Sequence, residues 1–384
     1  MVIAGEASGD RIAERAIAAA HKLLQEQGST LEAFGIGGDH CAKQGVKLYH
    51  HAKEMSVVGF VEVAKRFSFF KKVLKEMESL LKDPATRPDT LLLIDYPGFN
   101  IRLAKIAKKL GVRVVYYVSP QVWAWHKSRV FELKEIVDEM LVIFPFEEKI
   151  YRDAGLKTSY FVGHPLVELI EEEKQSFTSK EEFAKRYGLD AAKEWLLVFS
   201  GSRSDEVRRL LPVMSRSAKE LAHAFNLQPM LVEAPTIDSS YYAMYEDQEL
   251  MRFRHPEATH ELMYHAKAGI LKSGTTTLEA ALLGLPGVIC YKTHPLTFAI
   301  GKRLVKLPYI GLANIVKGEK LYPELLQNEC TEENIMSEMT KVIHSEKEFR
   351  LALENVSLAL RSATSSPSTL AAEHILGLAK ESVR

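Results

Sequence analysis

Short apolar runs alternate with longer amphipathic stretches along most of the chain. Residues 1–4, 31–36, 55–60, 90–94, 112–118, 140–144 and 160–162 are compact apolar runs of strand length. The intervening stretches 11–27, 61–77 and 101–110 repeat their apolar residues at helical spacing. The alternation resumes at 195–199, 228–233, 269–271 and 288–291, with helical patterns over 207–224, 259–266, 331–343 and 346–360. Unbroken apolar strands separated by helices are the pattern of a parallel sheet covered on both faces. The chain therefore reads as an α/β protein with two Rossmann-like domains. Polar, charged residues over 170–186 suit a linker, which predicts domains at 1–168 and 169–360. A break at 362–367 precedes a last helix over 368–382. The segment 361–384 is expected to pack back on the first domain or on a partner subunit. Residues 235–257 are polar with several tyrosines and have no assigned element.

Chemistry concentrates where predicted strands end. The run into Ser273-Gly274-Thr275-Thr276-Thr277 leads straight into an apolar helix carrying Glu279. Strand, small-residue turn and helix present unpaired N–H groups to a phosphate. Glu279, further along that helix, is placed to accept hydrogen bonds from a ribose; the plain alternative is a helix cap beside a structural glutamate. Ser200-Gly201-Ser202-Arg203 forms a similar junction. Its arginine suits either a pyrophosphate or a surface ion pair with Asp205 or Glu206. The turn Gly5-Glu6-Ala7-Ser8-Gly9-Asp10 lets backbone approach a ligand or pack closely on the sheet, but it lacks the three-glycine dinucleotide spacing. Asp95, at the end of 90–94, is either a general base or a turn cap. Trp123, Trp125 and His126 belong to an aromatic cleft wall or to a satellite core. Asn314 and Glu324 are polar candidates whose spacing alone leaves their neighbours open.

Two basic amphipathic helices, 61–77 and 294–307, change the picture at the surface. In the first, Phe67, Phe70, Val73, Leu74 and Met77 share a face, and Lys65, Arg66, Lys71, Lys72 and Lys75 supply positive charge. Such a helix lies on an anionic membrane surface or buries its aromatics in the protein. Composition narrows the classes. Lysine plus arginine equals aspartate plus glutamate, 50 against 50, so overall charge gives a nucleic-acid partner no support. No apolar stretch is long enough to span a bilayer, and the start has no signal-peptide pattern. The chain opens inside a predicted strand, so either residues precede this sequence or that strand is short. Cys41, Cys290 and Cys330 have no metal-binding spacing and point to a reducing compartment.

The ordered set GEASGD at 5–10, IDYPGFN at 94–100, YVSPQVWAWHKSRV at 117–130, FPFE at 144–147, FVGHPL at 161–166, GSRSDEV at 201–207, SGTTTLEAAL at 273–282 and LYPELLQNEC at 321–330 resembles the lipid-A-disaccharide synthase family. The resemblance covers nearly the whole chain. It implies an inverting, metal-independent glycosyltransferase of the B type, with two Rossmann-like domains facing a central cleft and no cofactor. The implied reaction joins UDP-2,3-diacylglucosamine to 2,3-diacylglucosamine 1-phosphate, giving a β-1,6-linked tetraacyl disaccharide 1-phosphate and UDP. Asp95 matches the family's essential aspartate. Arg203, Ser273, Gly274, Thr275, Thr276, Glu279, Asn314 and Glu324 match its donor side. Glu6, Ser8, Gly9, Asp10 and Asn100 become cleft or acceptor candidates, as do Ser119, Gln121, Trp123, His126 and Arg129. Acylated substrates imply a cytoplasmic protein held peripherally on the inner face of the bacterial inner membrane, with Phe67, Phe69 and Phe70 as contacts. The family also implies a possible homodimer through the C-terminal region. The sequence departs from the family at Tyr96 and Gly98, where alanine and a second aspartate are usual. It departs again at Ser200, usually proline, and at Lys272, usually a small residue. Lys272 adds charge near a pyrophosphate or turns outward. The rival readings are a UDP-N-acetylglucosamine 2-epimerase, a transferase using an undecaprenyl-linked acceptor, and a non-catalytic nucleotide-sugar or lipid-binding protein.

Overall fold

In a computed structural model, the described residues are 1–55, 67–123, 128–245, 250–295, 297–298, 303 and 307–379. They form two compact units, Met1–Pro165 with the segment from Arg361, and Leu166–Leu360.

The first unit carries β1 (Val2–Ala4), β2 (Phe34–Gly37), β3 (Lys47–His51), β4 (Thr90–Ile94), β5 (Arg113–Tyr117), β6 (Glu139–Val142) and β7 (Ser159–Phe161). All pairings are parallel, in the order β3-β2-β1-β4-β5-β6-β7. The central strands are buried on both faces, which is why β4 reads Leu-Leu-Leu-Ile. Helix Ala7–Glu26 lays Ala13, Ala16, Ile17 and Ala20 on the sheet. Helix Phe67–Lys82 buries Val73, Met77 and Leu81, a single stripe at four-residue spacing. Burying each of those large side chains contributes roughly 1.5–3 kcal/mol. The expected strand 55–60 and the start of the expected helix 61–77 fall at 56–66, outside the described residues. Met55 closes a short helix, Ala52–Met55.

The C-terminal helix Pro367–Ile375 starts on Ser366, whose Oγ accepts from the Thr369 N–H at 3.2 Å. Its last turn is fastened to the first sheet. Arg113 donates to the Ile375 carbonyl at 2.9 Å and to the His374 carbonyl at 2.5 Å. His374 Nδ1 lies 2.7 Å from Glu139 Oε2. A cation donating to the last carbonyls also suits the negative end of the helix.

The second unit carries β8 (Glu194–Phe199), β9 (Leu227–Val232), β10 (Met251–Phe253), β11 (Ala268–Lys272), β12 (Gly287–Tyr291) and β13 (Glu324–Leu326). These too are parallel, in the order β10-β9-β8-β11-β12-β13. Their core is built from Leu196, Val198, Ile270 and Val288 against Leu210, Met214 and Leu221 of helix Ser204–Phe225. Most of the expected helix 294–307 lies outside the described residues.

In each sheet the strand order reverses once, between β1 and β4 and between β8 and β11. At such a switch point the chain leaves neighbouring strands in opposite directions. The crevice beyond their C-terminal ends is where open α/β sheets bind ligands. Asp95 follows β4; Arg203 and Ser273 follow β8 and β11.

Candidate functional site

Asp95 and Tyr96 turn sharply off β4 with φ of 44° and 47°. For residues with a Cβ this left-handed conformation costs roughly 1–2 kcal/mol each. The neighbourhood holds it in place. Asn100 Nδ2 donates to the Asp95 carbonyl at 2.8 Å and to the Ile94 carbonyl at 3.2 Å. The Tyr116 hydroxyl donates to the same Asp95 carbonyl at 2.6 Å. The Tyr96 hydroxyl donates to the Met55 carbonyl at 2.9 Å. A Cβ on Gly5 would stand 2.7 Å from the Tyr96 ring, so glycine at position 5 makes room for this tyrosine. Gly98 has open space around it and packs on nothing. Val118, at the end of β5, has φ of 62°, an outlier for a β-branched residue. Strained backbone at adjacent strand ends is where functional groups are commonly found.

Asp95 and Val118 line one cavity of about 500 Å³, together with Ser119, Gln121, Arg129 and Glu147. Burial, and then the negative charge of Glu6, push the Asp95 carboxyl up to about 6, against the pull of the Tyr96 N–H. A carboxylate poised near neutrality is suited to accept a proton. Trp123 is buried rather than spread on a surface. Its Nε1–H donates to Glu147 Oε1 at 2.8 Å, and its ring stands edge-on to Phe144 and Phe146, at 6.2 and 5.3 Å. Glu147 Oε2 also accepts from the Phe144 N–H at 3.2 Å. Burial nevertheless lifts Glu147 to about 7. His126 and Trp125 fall at 124–127, outside the described residues.

Sequence reasoning missed Tyr116 and Glu147. A phenol at the end of a buried strand, and a carboxylate directly after Phe144-Pro145-Phe146, are signals that each must find a partner.

The turn after β1 divides in two. Glu6 and Ser8 are exposed, while Gly9 and Asp10 are buried in the first turn of helix Ala7–Glu26. Asp10 is committed inside the unit. Oδ1 accepts from the N–H groups of Gly38 at 2.6 Å and Cys41 at 3.0 Å, and Oδ2 from His40 at 3.0 Å. Burial alone would raise its pKa, but the bonds from Cys41, Gly38 and His40 prevail and hold it below the ordinary value. The carboxylate thus fastens the start of helix Asp39–Lys43.

In the second unit, Gly201 has φ of 120°, and a Cβ there would meet Glu206 Oε2 at 2.6 Å. That oxygen accepts from the Ser202 N–H at 3.1 Å. Glu206 Oε1 lies 2.8 Å from Lys272 Nζ and 3.6 Å from Arg203 Nη1. Lys272 therefore reaches across the switch point, from the end of β11 to the helix that follows β8. Its ammonium is also 3.5 Å from the position a Gly274 Cβ would occupy. Arg203 keeps its side chain 75% exposed despite the ion pair. Helices Ser204–Phe225 and Thr275–Leu282 both begin here, and neither N-cap side chain caps its helix. Unsatisfied N–H groups from two helices flanked by two cations make an anion-attracting surface.

Around that turn, Ser273 Oγ donates to the Ile310 carbonyl at 3.2 Å, and Thr277 Oγ1 to the Gly274 carbonyl at 2.8 Å. Thr275 is exposed and Thr276 half-exposed. Glu279 is half-buried, and its carboxylate accepts no hydrogen bond among the described residues. Burial raises its pKa, against the influence of His260.

Asn314 and Glu324 have their polar atoms engaged internally. Glu324 Oε1 accepts from the Gly311 N–H at 2.9 Å and from Asn314 Nδ2 at 2.8 Å, and Oε2 accepts from the Ile310 N–H at 3.0 Å. Asn314 also exchanges hydrogen bonds with the backbone of Tyr322, at 2.8 and 2.9 Å. Together they shape the 310–311 loop that receives Ser273. Both carboxylate oxygens of Glu324 have donors.

The three phenylalanines also separate. Phe67 is 57% exposed, whereas Phe69 and Phe70 pack against the first core. Phe69 stands edge-on to Phe70 at 5.6 Å and to His50 at 6.0 Å. The expected continuous aromatic face is thus broken, because two of its members complete the core. Lys71, Lys72 and Lys75 are exposed. Among the described residues, no helix is long and apolar enough to cross a membrane.

The chain is similar to known proteins over nearly all its length. A UDP-N-acetylglucosamine 2-epimerase from Neisseria meningitidis, solved bound to UDP-GlcNAc, superposes with a TM-score of 0.58 at 12% identity, covering 96% of each chain; that likeness shows the fold. The lipid-A-disaccharide synthase of Trichlorobacter lovleyi is 43% identical over 89% of this chain and 87% of its own. That of Geobacter metallireducens is 39% identical over 90% of this chain and 89% of its own. The Lipid-A-disaccharide synthetase family matches residues 1–375. The chain therefore belongs to the lipid-A-disaccharide synthase family of glycosyltransferases.

Proposed function

We propose that this chain transfers 2,3-diacylglucosamine from UDP to the 6-hydroxyl of 2,3-diacylglucosamine 1-phosphate, with inversion at the anomeric carbon. The observation that carries the reading is the Asp95 carboxylate, held on a strained turn at a cavity and raised to about 6. Asp95 takes the proton of the acceptor hydroxyl as its oxygen attacks. The bond from the anomeric carbon to the UDP oxygen breaks, and the electron pair leaves with UDP. An α-linked donor thereby gives a β-linked product. Negative charge developing on the diphosphate is met by Arg203, Lys272 and the N–H groups of Gly274, Thr275 and Thr276, those of Ser273 and Thr277 being donated to the Cys290 and Gly274 carbonyls. Glu279, which accepts no hydrogen bond among the described residues, is assigned to the ribose. Asn100 and Tyr116 act through the Asp95 backbone, and Asn314 and Glu324 act through the 310–311 loop.

The base must be unprotonated to work, so its raised pKa sets an acid limb. The kcat/KM for the acylated acceptor is expected to fall about tenfold per pH unit below about 6, with one proton involved. A profile flat from pH 5 to 7 contradicts the assignment of Asp95.

Because both substrates carry acyl chains, the proposal includes peripheral attachment to an anionic membrane surface from the cytoplasmic side. Exposed Phe67 beside Lys71, Lys72 and Lys75 supports it. Phe67→Ser is expected to weaken binding to vesicles containing anionic lipid by about tenfold, with an unchanged melting temperature. Unchanged vesicle partitioning rejects the contact. Serine at Phe69 and Phe70 is instead expected to destabilise the fold, since both pack on the core. Self-association through the C-terminal region belongs to the same reading; the bonds of His374 to Glu139 and of Arg113 to the helix end are ones a second copy can supply in exchange.

A further inference from the structure

The Asp95 cavity contains a cation that no described carboxylate neutralises. Arg129 lines it, is half-buried, and forms no hydrogen bond or ion pair with any described residue. Other half-buried arginines of the chain are engaged: Arg113 bonds Glu139 and two carbonyls, and Arg350 bonds Glu346 and two carbonyls. Ser119 lines the same cavity. It is only 4% exposed, and its Oγ sits beside the Glu147 carboxylate and the Tyr151 hydroxyl without a hydrogen bond of good geometry among the described residues. A buried hydroxyl without a partner costs free energy unless a ligand or water completes it. The other acid in the lining, Glu147, has its two oxygens engaged by Trp123 and the Phe144 N–H.

A guanidinium with no hydrogen bond or ion pair among the described residues, beside a hydroxyl that is poorly bonded there, in a cavity of about 500 Å³, calls for a compact anion with several acceptor oxygens. The rest of the lining, including Val118, Val122 and Ile143, offers apolar surface to a sugar ring. We propose that Arg129 and Ser119 bind the phosphate of a phosphorylated sugar acceptor, and so make this protein choose the phosphorylated sugar over the same sugar without phosphate. The inference rests on the transfer reaction proposed above, with Asp95 facing the attacking hydroxyl. It adds the group that holds the other end of the acceptor.

The test compares two acceptors, 2,3-diacylglucosamine 1-phosphate and 2,3-diacylglucosamine, with one donor, UDP-2,3-diacylglucosamine. The ratio of their kcat/KM values reads phosphate recognition directly. In the wild type it is expected to favour the phosphorylated acceptor by about 100-fold or more. Arg129→Ala is expected to cut that ratio by about 10–100-fold, mainly through KM of the phosphorylated acceptor. Arg129→Lys restores part of the ratio, because it keeps the charge and loses the planar fork. Ser119→Ala lowers it by a few-fold. The lysine and alanine variants together keep the test decisive if one of them folds poorly. An Arg129→Ala ratio equal to the wild-type ratio overturns the inference while leaving the transfer reaction standing. Transfer to neither acceptor by the wild type overturns the reaction and this inference with it.

Discussion

Asp95→Asn is expected to lose turnover by about three orders of magnitude, within the roughly 10²–10⁴-fold attributed to a positioned base, while UDP binding stays near the parental value. The substitution is a narrow one. Asparagine tolerates the left-handed backbone that position 95 adopts at φ 44°. Asn100 and Tyr116 bond the carbonyl of residue 95, so the turn keeps its supports. Only the ability to take a proton is removed. Stability supplies an independent check. The folded pKa, about 6, lies above the ordinary value of 3.8. Between those two pH values the native state holds a proton that the unfolded chain has lost, so wild-type stability falls as pH rises through that window. The asparagine variant lacks this fall and should melt at the same temperature as the wild type or higher above pH 6. Rate measurements beside melting curves at pH 5 and 8 separate the two effects. Near-parental transfer by the variant sinks the assignment.

Arg203→Ala is expected to lower kcat by roughly 10²–10³-fold and to weaken UDP binding about tenfold, since the lost cation faces charge that grows as UDP departs. Its effect on folding should stay within about 0.5 kcal/mol, because the side chain is 75% exposed and its ion pair with Glu206 spans 3.6 Å. Lys272 shares Glu206 with Arg203, at 2.8 Å. The double variant with Lys272→Ala should therefore depart from additivity in UDP affinity. Calorimetry with UDP, set beside steady-state kcat, reads both quantities. Values within twofold of the parent for both would remove Arg203 from the donor site.

The parts of the fold that could be read in advance share one physical property. Strands β1, β4, β5, β8, β11 and β12 are covered on both faces, so their sequences are nearly continuous apolar runs. The strands without an expected counterpart, β3, β10 and β13, all lie at sheet edges. Lys47–His51 is half-exposed along most of its length, and Met251–Phe253 and Glu324–Leu326 are only three residues long. Such edges need no apolar run and leave little pattern. The site shows a related limit. Asp95 was expected directly after a buried strand, and it stands there, lining the cavity. Asp10, Asn100 and Glu324 stood out as polar residues within motifs, and Asn314 as a polar candidate outside them, yet their hydrogen bonds go largely to backbone. A buried polar side chain needs partners whether they belong to a ligand or to the chain, and spacing does not separate the two cases. Lys272 is the clearest instance. Its partner Glu206 sits after a different strand, and only the adjacency of β8 and β11 brings them together. Phe70 was expected on an aromatic helix face and Phe69 as a membrane contact beside it, but the core on which both pack was not visible in the helix itself.

The central claim is acceptor-dependent transfer of an acylated sugar, and the fold is shared with a UDP-N-acetylglucosamine 2-epimerase. The most direct test incubates the wild-type chain with UDP-2,3-diacylglucosamine, with and without 2,3-diacylglucosamine 1-phosphate, and in parallel with UDP-N-acetylglucosamine alone. Released UDP is quantified, and the lipid products are analysed by mass spectrometry and NMR. The account predicts UDP release only when both acylated substrates are present, with a β-1,6-linked tetraacyl disaccharide 1-phosphate formed in equal amount. Epimerisation of UDP-N-acetylglucosamine, or UDP release without a disaccharide, would contradict it.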